Sequence, residues 1–206
     1  VLGGTKAFSH GELYTALSND PFDPNSSNAL RTRILAPLIG WVFHLRGPLF
    51  VLVPWIFLAG LLALVNVWLR RTGASSLLAF TGMLVLAFSP VTLHSLVAPG
   101  FVDAVSYFLI GMAFMQIRCA LASCLCMALA VTAHEASAFL IPAWLLASAS
   151  SGIVWRHLLQ RSALLVALLL PYTAYRWWVA QHDDTLLSLG FYFDPRNIRT
   201  CMDVGL

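Results

Sequence analysis

The chain has 206 residues, of which 59% are apolar and only 10% charged, and its mean hydropathy is +0.80. A soluble domain carries about a quarter charged residues, so this composition excludes an ordinary soluble fold and predicts an all-α, polytopic transmembrane helical bundle. The net charge of +3 implies no nucleic-acid partner, because five of the twelve basic residues sit at the ends of apolar stretches and no basic patch is interleaved with aromatics.

Residues 1–47 mix polar and apolar side chains, with turn chemistry at Asn19-Asp20-Pro21 and Asp23-Pro24-Asn25-Ser26-Ser27. The first residue is Val1 and no positively charged leader follows it, so the chain is expected to begin inside a longer protein. From Asn28 onward, Leu30, Ile34, Leu35, Leu38 and Ile39 recur at helical spacing opposite Arg31 and Arg33. That pattern predicts an amphipathic helix lying at a membrane interface.

A first span is predicted over 48–69, about 33 Å long, closed by Arg70-Arg71. A second is predicted over 76–92 and a third over 101–117, joined by a link at 93–100 that contains Pro99-Gly100. Two short apolar pieces, 119–133 and 136–149, flank His134-Glu135. Arg156, His157 and Arg161 mark a polar link before a last span over 162–179. The expected whole is five to six membrane helices, two of them short. They form one membrane domain, 48–179, between loops at 1–47 and 180–206.

Around His134-Glu135 two readings compete: two short helices joined by a turn, or one long helix with a polar pair at its middle. Cytoplasmic loops are enriched in Lys and Arg. With Arg70-Arg71 inside, two short helices also place Arg118, Arg156 and Arg161 inside, whereas one long helix sends Arg156 and Arg161 out. The turn is therefore the expectation. The same threading places all nine acidic residues outside: Glu12, Asp20, Asp23, Asp103, Glu135, Asp183, Asp184, Asp194 and Asp203. The outer face is where chemistry or ion binding is expected.

Ionisable groups at membrane depth are costly and point to function. Asp103 opens the third span, either as a site carboxylate or as a first-turn acid that suits the helix dipole. His134-Glu135 is either a site or a structural turn. It is not a zinc-protease motif, because Ala138 stands where H-E-x-x-H needs a second histidine. His182-Asp183-Asp184 is either a solvated loop or a weak divalent-metal candidate. Arg31 and Arg33 are forked cations suited to phosphate, or else headgroup contacts of an interfacial helix. Arg176 beside Trp177-Trp178 reads as part of an aromatic belt. Cys119, Cys124, Cys126 and Cys201 read as packing residues. Asn25-Ser26-Ser27 matches a short glycosylation sequon. No Walker loop, nucleophile elbow or dinucleotide fingerprint is present.

In combination these segments resemble the GT-C superfamily of membrane-embedded glycosyltransferases that use lipid-linked sugars, especially its bacterial members. Glu12-Leu13-Tyr14-Thr15-Ala16-Leu17, followed by Asp20-Pro21-Phe22, is similar to the acidic segment of the family's first outer loop. Arg31-Thr32-Arg33-Ile34-Leu35-Ala36-Pro37-Leu38 resembles its R-x-R-x-L-x-P-L stretch. Phe101-Val102-Asp103-Ala104 is similar to the acidic start of a later helix. Ala133-His134-Glu135 with Ile141-Pro142 resembles a pair of short helices around a basic position. The likeness covers most of 12–149.

It implies sugar transfer from a polyprenyl-phosphate donor on the extracytoplasmic face of a bacterial inner membrane, with the lipid bilayer and the lipid-linked donor as partners. Glu12, Asp20 and Asp103 would be the catalytic carboxylates, one of them a general base or a holder of a divalent metal. Arg31, Arg33, His134 and Glu135 would bind substrate. Glu12 stands where the family shows Asp, and His134 where it shows Arg or Lys. No metal-ligand set is assigned and the cofactor is left open. The competing readings are a transporter, with charges along a two-sided pathway, and a non-catalytic membrane subunit.

Overall fold

A computed structural model describes residues 9–23, 30–97, 100–151 and 154–182. Helix is the regular structure throughout them. In chain order the elements are α1 (Ser9–Asn19), α2 (Leu35–Val42), α3 (Leu52–Arg71), α4 (Ser76–Ala87), α5 (Pro90–Val97), α6 (Asp103–Met115), α7 (Ala120–Ala133), α8 (Ile141–Ser150) and α9 (Trp155–His182). A 3-10 turn, Gly47–Val51, leads into α3, and a second, Glu135–Leu140, leads into α8.

Local chemistry explains the boundaries. Pro54 sits in the first turn of α3, where its missing N–H costs nothing, and Arg70 and Arg71 close the helix at the negative end of its dipole. Ser75 caps α4 by accepting the Leu78 N–H at 3.2 Å. Pro90 stops that helix and starts α5, so the predicted span over 76–92 is broken and the expected link at 93–100 is largely helical. The expected polar link before the last span is also helical: Arg156, His157 and Arg161 lie in the first two turns of α9.

The amphipathic helix predicted from Asn28 is corrected. The chain turns at 30–32 and α2 begins at Leu35, two residues before Pro37, which is tolerated only in a first turn. Arg31 and Arg33 consequently lie in a turn, not on the polar face of a helix.

The hairpin at His134 is present. α7 ends there because the His134 backbone is extended, at φ −154° and ψ 117°. Beyond it the chain doubles back. Trp144 Nε1 donates to Ser123 Oγ at 2.8 Å, and these residues lie at nearly equal sequence distances on either side of His134. A continuous helix would hold them about 31 Å apart. Ser137 and Ser106 also join hydroxyl to hydroxyl at 2.6 Å, tying the turn to α6.

Two apolar clusters fill the interior. One packs Tyr14 and Leu17 of α1 against Phe50, Val53, Val102, Val105, Ala130 and Ala133. The other joins Ala113, Cys124, Met127, Trp144 and Leu165. Small residues at the crossings, Ala104, Ala113, Ala130 and Ala133, are fully buried and let the helices approach closely. Gly100 has φ +92°, and a Cβ on it would lie 2.9 Å from both Cα and O of Gly11. The backbone of α1 thus rests directly on the turn before α6.

Two helical stretches, Gly47–Arg71 and Trp155–Gln181, are long and apolar enough to cross a membrane. Four more, Ser76–Ala87, Asp103–Met115, Ala120–Ala133 and Glu135–Ser150, are apolar but shorter. They reach about 18–24 Å at helical rise, so of the five to six membrane helices expected from the sequence, two of them short, two are long enough to span by length. Asn25-Ser26-Ser27, Cys201 and the tail at 183–206, including Asp183, Asp184, Asp194 and Asp203, lie outside the described residues.

Replacing the native cysteines by alanine and introducing Ser106→Cys with Ser137→Cys should give a disulfide on mild oxidation, read by mass spectrometry. Absence of the cross-link in folded protein contradicts the hairpin.

Candidate functional site

Four chain segments meet at one end of the bundle. α1 brings Tyr14, the turn before α2 brings Arg33, the first residue of α6 is Asp103, and the hairpin supplies His134 and Glu135. Arg33 is the hub. Its Nε donates to Glu135 Oε2 at 3.0 Å and its Nη2 to Glu135 Oε1 at 2.9 Å. Its Nη1 donates to the Tyr14 hydroxyl at 3.1 Å. The two-bond fork fixes the plane of the carboxylate as well as its charge.

Electrostatics follow from that arrangement. Burial favours the neutral form of Glu135, but the hydrogen bonds and charge of Arg33 outweigh it and hold the carboxyl down to about 2. Burial alone would also lower Arg33, yet Glu135 and Tyr14 raise it above its ordinary value. Burial raises the Tyr14 phenol, so it stays protonated.

His134 faces the other carboxylate. Its Nδ1 accepts the Ala136 N–H at 3.2 Å, which places the ring proton of the neutral form on Nε2. Nε2 lies 3.5 Å from Asp103 Oδ1. Burial and the charge of Arg33 lower the His134 pKa, more than Asp103 and Glu135 raise it. The imidazole is therefore biased towards neutrality. Asp103 and His134 are each partly open to solvent, at 20% and 22% exposure, so water reaches this dyad.

The remaining candidates fall elsewhere. Arg31 is only 1% exposed. Its guanidinium lies 5.9 Å from the Trp178 ring centroid, and its carbonyl accepts the Tyr175 hydroxyl at 3.1 Å. Tyr172 donates to the Thr32 carbonyl at 3.0 Å. Arg31 thus belongs to the clamp between the turn and α9. Glu12 is exposed and lines a cavity of about 510 Å³ with Thr15, Pro48, Val51, Trp55 and Leu96. Two residues from Tyr14 on a helix, it points away from Arg33. Asp20 is exposed and accepts the Phe22 N–H at 3.2 Å, holding its own turn. Arg176 lies 5.9 Å from the Tyr172 ring centroid. Among the described residues no three His, Cys, Asp or Glu side chains gather as a metal-ligand set. The His182-Asp183-Asp184 candidate lies outside them except for the backbone of His182.

The structure therefore unites Asp103, His134, Glu135 and Arg33, and leaves Glu12, Asp20 and Arg31 apart from them. Sequence reading missed Tyr14 as an Arg33 ligand and Tyr172 and Tyr175 as pins of the 31–32 turn. A signal for the latter was present: Tyr172, Tyr175 and Trp178 recur every third residue, on one face of α9. No family model, no curated protein and no solved structure matches this chain.

Glu135→Gln should lower stability by about 2 kcal/mol, less than the ~3–5 kcal/mol of a fully buried pair because water still reaches this one. Arg33→Gln added to it should cost little more. Thermal unfolding in detergent measures both. Acidification should destabilise the folded protein in two stages. The lowered His134 pKa gives a contribution complete above 6.5 and lost as pH falls below it. The Glu135 contribution is complete above 4.5 and lost as pH falls towards 2. The unfolding midpoint followed from pH 7.5 to 3 should show both stages, and only the upper one in Glu135→Gln.

Proposed function

We propose that this chain is a multi-pass membrane protein whose carboxylate-bearing end lies on the extracytoplasmic face. We propose further that this end transfers a sugar from a polyprenyl-phosphate donor. Two observations support the membrane reading. The most apolar windows of the two long helices are only 28% and 17% buried within the protein, unlike the core helices of a soluble fold. Large apolar side chains such as Leu77 and Phe139 are 76% and 84% exposed, which lipid accommodates and water does not. The short helices cross with their flanking residues, as thin or tilted segments do.

The observation that carries the transferase reading is the Asp103–His134 dyad, open to solvent at the end of the bundle where all five described carboxylates lie. In this mechanism Asp103 removes the proton of an acceptor hydroxyl. The hydroxyl oxygen bonds to the anomeric carbon, the bond from that carbon to the phosphate oxygen breaks, and the polyprenyl phosphate departs with the electron pair. The Nε2–H of His134 orients the Asp103 carboxylate. The cavity beside Glu12, walled by Pro48, Val51, Trp55 and Leu96, suits the apolar part of a lipid-linked donor.

One observation favours a second reading, a non-catalytic membrane subunit. The departing phosphate needs a cation, yet Arg33 is held by Glu135 and Tyr14, and His134 is biased towards neutrality.

Full-length protein in lipid nanodiscs, assayed with a panel of radiolabelled polyprenyl-phosphate sugars, separates the two. Asp103→Asn should reduce transfer by about 10²–10⁴-fold with an unchanged unfolding midpoint. Undiminished transfer in that variant, or no transfer by the unaltered protein to any acceptor tested, rejects the transferase reading.

A further inference from the structure

The end of the bundle opposite the Arg33–Glu135 pair holds another cavity, of about 330 Å³, between the start of α7 and the first turns of α9. Its walls are Arg118, Ala120, His157, Gln160, Arg161 and Leu164. Two arginines and a histidine line it, and among the described residues no acid does. The carboxylates among the described residues, Glu12, Asp20, Asp23, Asp103 and Glu135, sit on α1 and its following turn or at the other ends of α6 and α7.

Arg161 is the informative member. It is 4% exposed, and its Nη1 has no hydrogen-bond partner among the described residues. A guanidinium that served only to mark the cytoplasmic side would extend into water, as the exposed Arg118 and Arg156 do. Arg161 is instead held inward. Cys124 Sγ donates to its carbonyl at 3.6 Å, and Leu165, one turn on, is locked in the core with Met127 and Trp144. A buried cationic donor left unmatched is expensive, so its position makes physical sense when an anion completes it.

The backbone adds a second attraction. Ala120 is the first residue of α7, and no side chain caps that helix at Cys119. The free amides and positive dipole end of a 14-residue helix therefore border the same cavity.

We propose that this cavity binds a phosphate group, as a monoester or diester, with Arg161 at its base, Arg118 at its rim and Gln160 donating from the side. The pairing suits arginine, whose planar fork matches phosphate oxygens. Such a phosphate has two sources, an anionic lipid headgroup of the cytoplasmic leaflet or a free phosphate in the aqueous phase. The site does not depend on sugar transfer and stands if that reading fails.

The test uses the full chain in neutral detergent, with thermal unfolding and calorimetric titration as readouts. Probes are inorganic phosphate, chloride at equal ionic strength, and mixed micelles carrying phosphatidylglycerol or phosphatidylcholine. A saturable rise in unfolding midpoint with phosphate or with phosphatidylglycerol, absent with chloride and phosphatidylcholine, is expected. Arg118→Gln should weaken it about tenfold, the loss of one charge-assisted hydrogen bond, and Arg161→Gln at least as much. If Arg161→Gln fails to fold, Arg118→Gln and Gln160→Ala, both at exposed positions, carry the test. Saturation by inorganic phosphate assigns the aqueous source, and saturation by phosphatidylglycerol alone assigns the headgroup. No saturable response to either, or equal binding in Arg118→Gln and Gln160→Ala, overturns the proposal.

Discussion

The fork between Arg33 and Glu135 joins residues 102 positions apart, and the architecture of one whole end of the protein depends on it. Around it, Tyr14, Leu17, Leu30, Ala36 and Ala133 share one apolar cluster, and apolar contacts specify proximity but not register. With it, three segments are oriented at once, since Tyr14 takes a further Arg33 donor, on Nη1. A half-buried charge pair is a poor source of net stability. Its value here is directional: it sets which way the hairpin residues face.

That direction matters because His134 and Glu135 are neighbours with opposite assignments. The extended backbone at His134 sends successive side chains to opposite sides. Glu135 goes to Arg33, and His134 goes to Asp103 at the start of α6. The turn thereby splits four ionisable groups into two pairs. Arg33 and Glu135 are joined by a two-bond fork, whereas His134 and Asp103 lie 3.5 Å apart. Water reaches both pairs to a similar degree, 16% and 21% for the first and 22% and 20% for the second, so hydrogen bonding rather than access distinguishes them.

Much of this was legible in the sequence, for identifiable reasons. Helix content and the two long apolar helices follow from composition, and the hairpin followed from the placement of Arg118, Arg156 and Arg161 on one side. Asp103 and His134 stood out as ionisable groups in apolar surroundings, and they do meet. Other features were hidden. Arg31 and Arg33 looked like one polar face because helical spacing was extended past Pro37, whose position in a first turn forces α2 to start later. Arg156, His157 and Arg161 looked like a loop because charge was taken as a break, though a helix tolerates it at its ends. The roles of Tyr14, Tyr172 and Tyr175 depend on contacts 19 to 144 residues away, which no local pattern encodes.

The contact between Gly11 and Gly100 bears on all of this. α1 is seated on the bundle where Gly100 lacks a side chain, so its seat works as a calibrated gap. A spacer of one methyl at Gly100 would lift the amino-terminal half of α1 and tilt Tyr14 away from the guanidinium it meets. The geometry of a charged cluster is in this way tuned by a residue that carries no charge and no side chain, positioned where no inspection of ionisable groups would look for it.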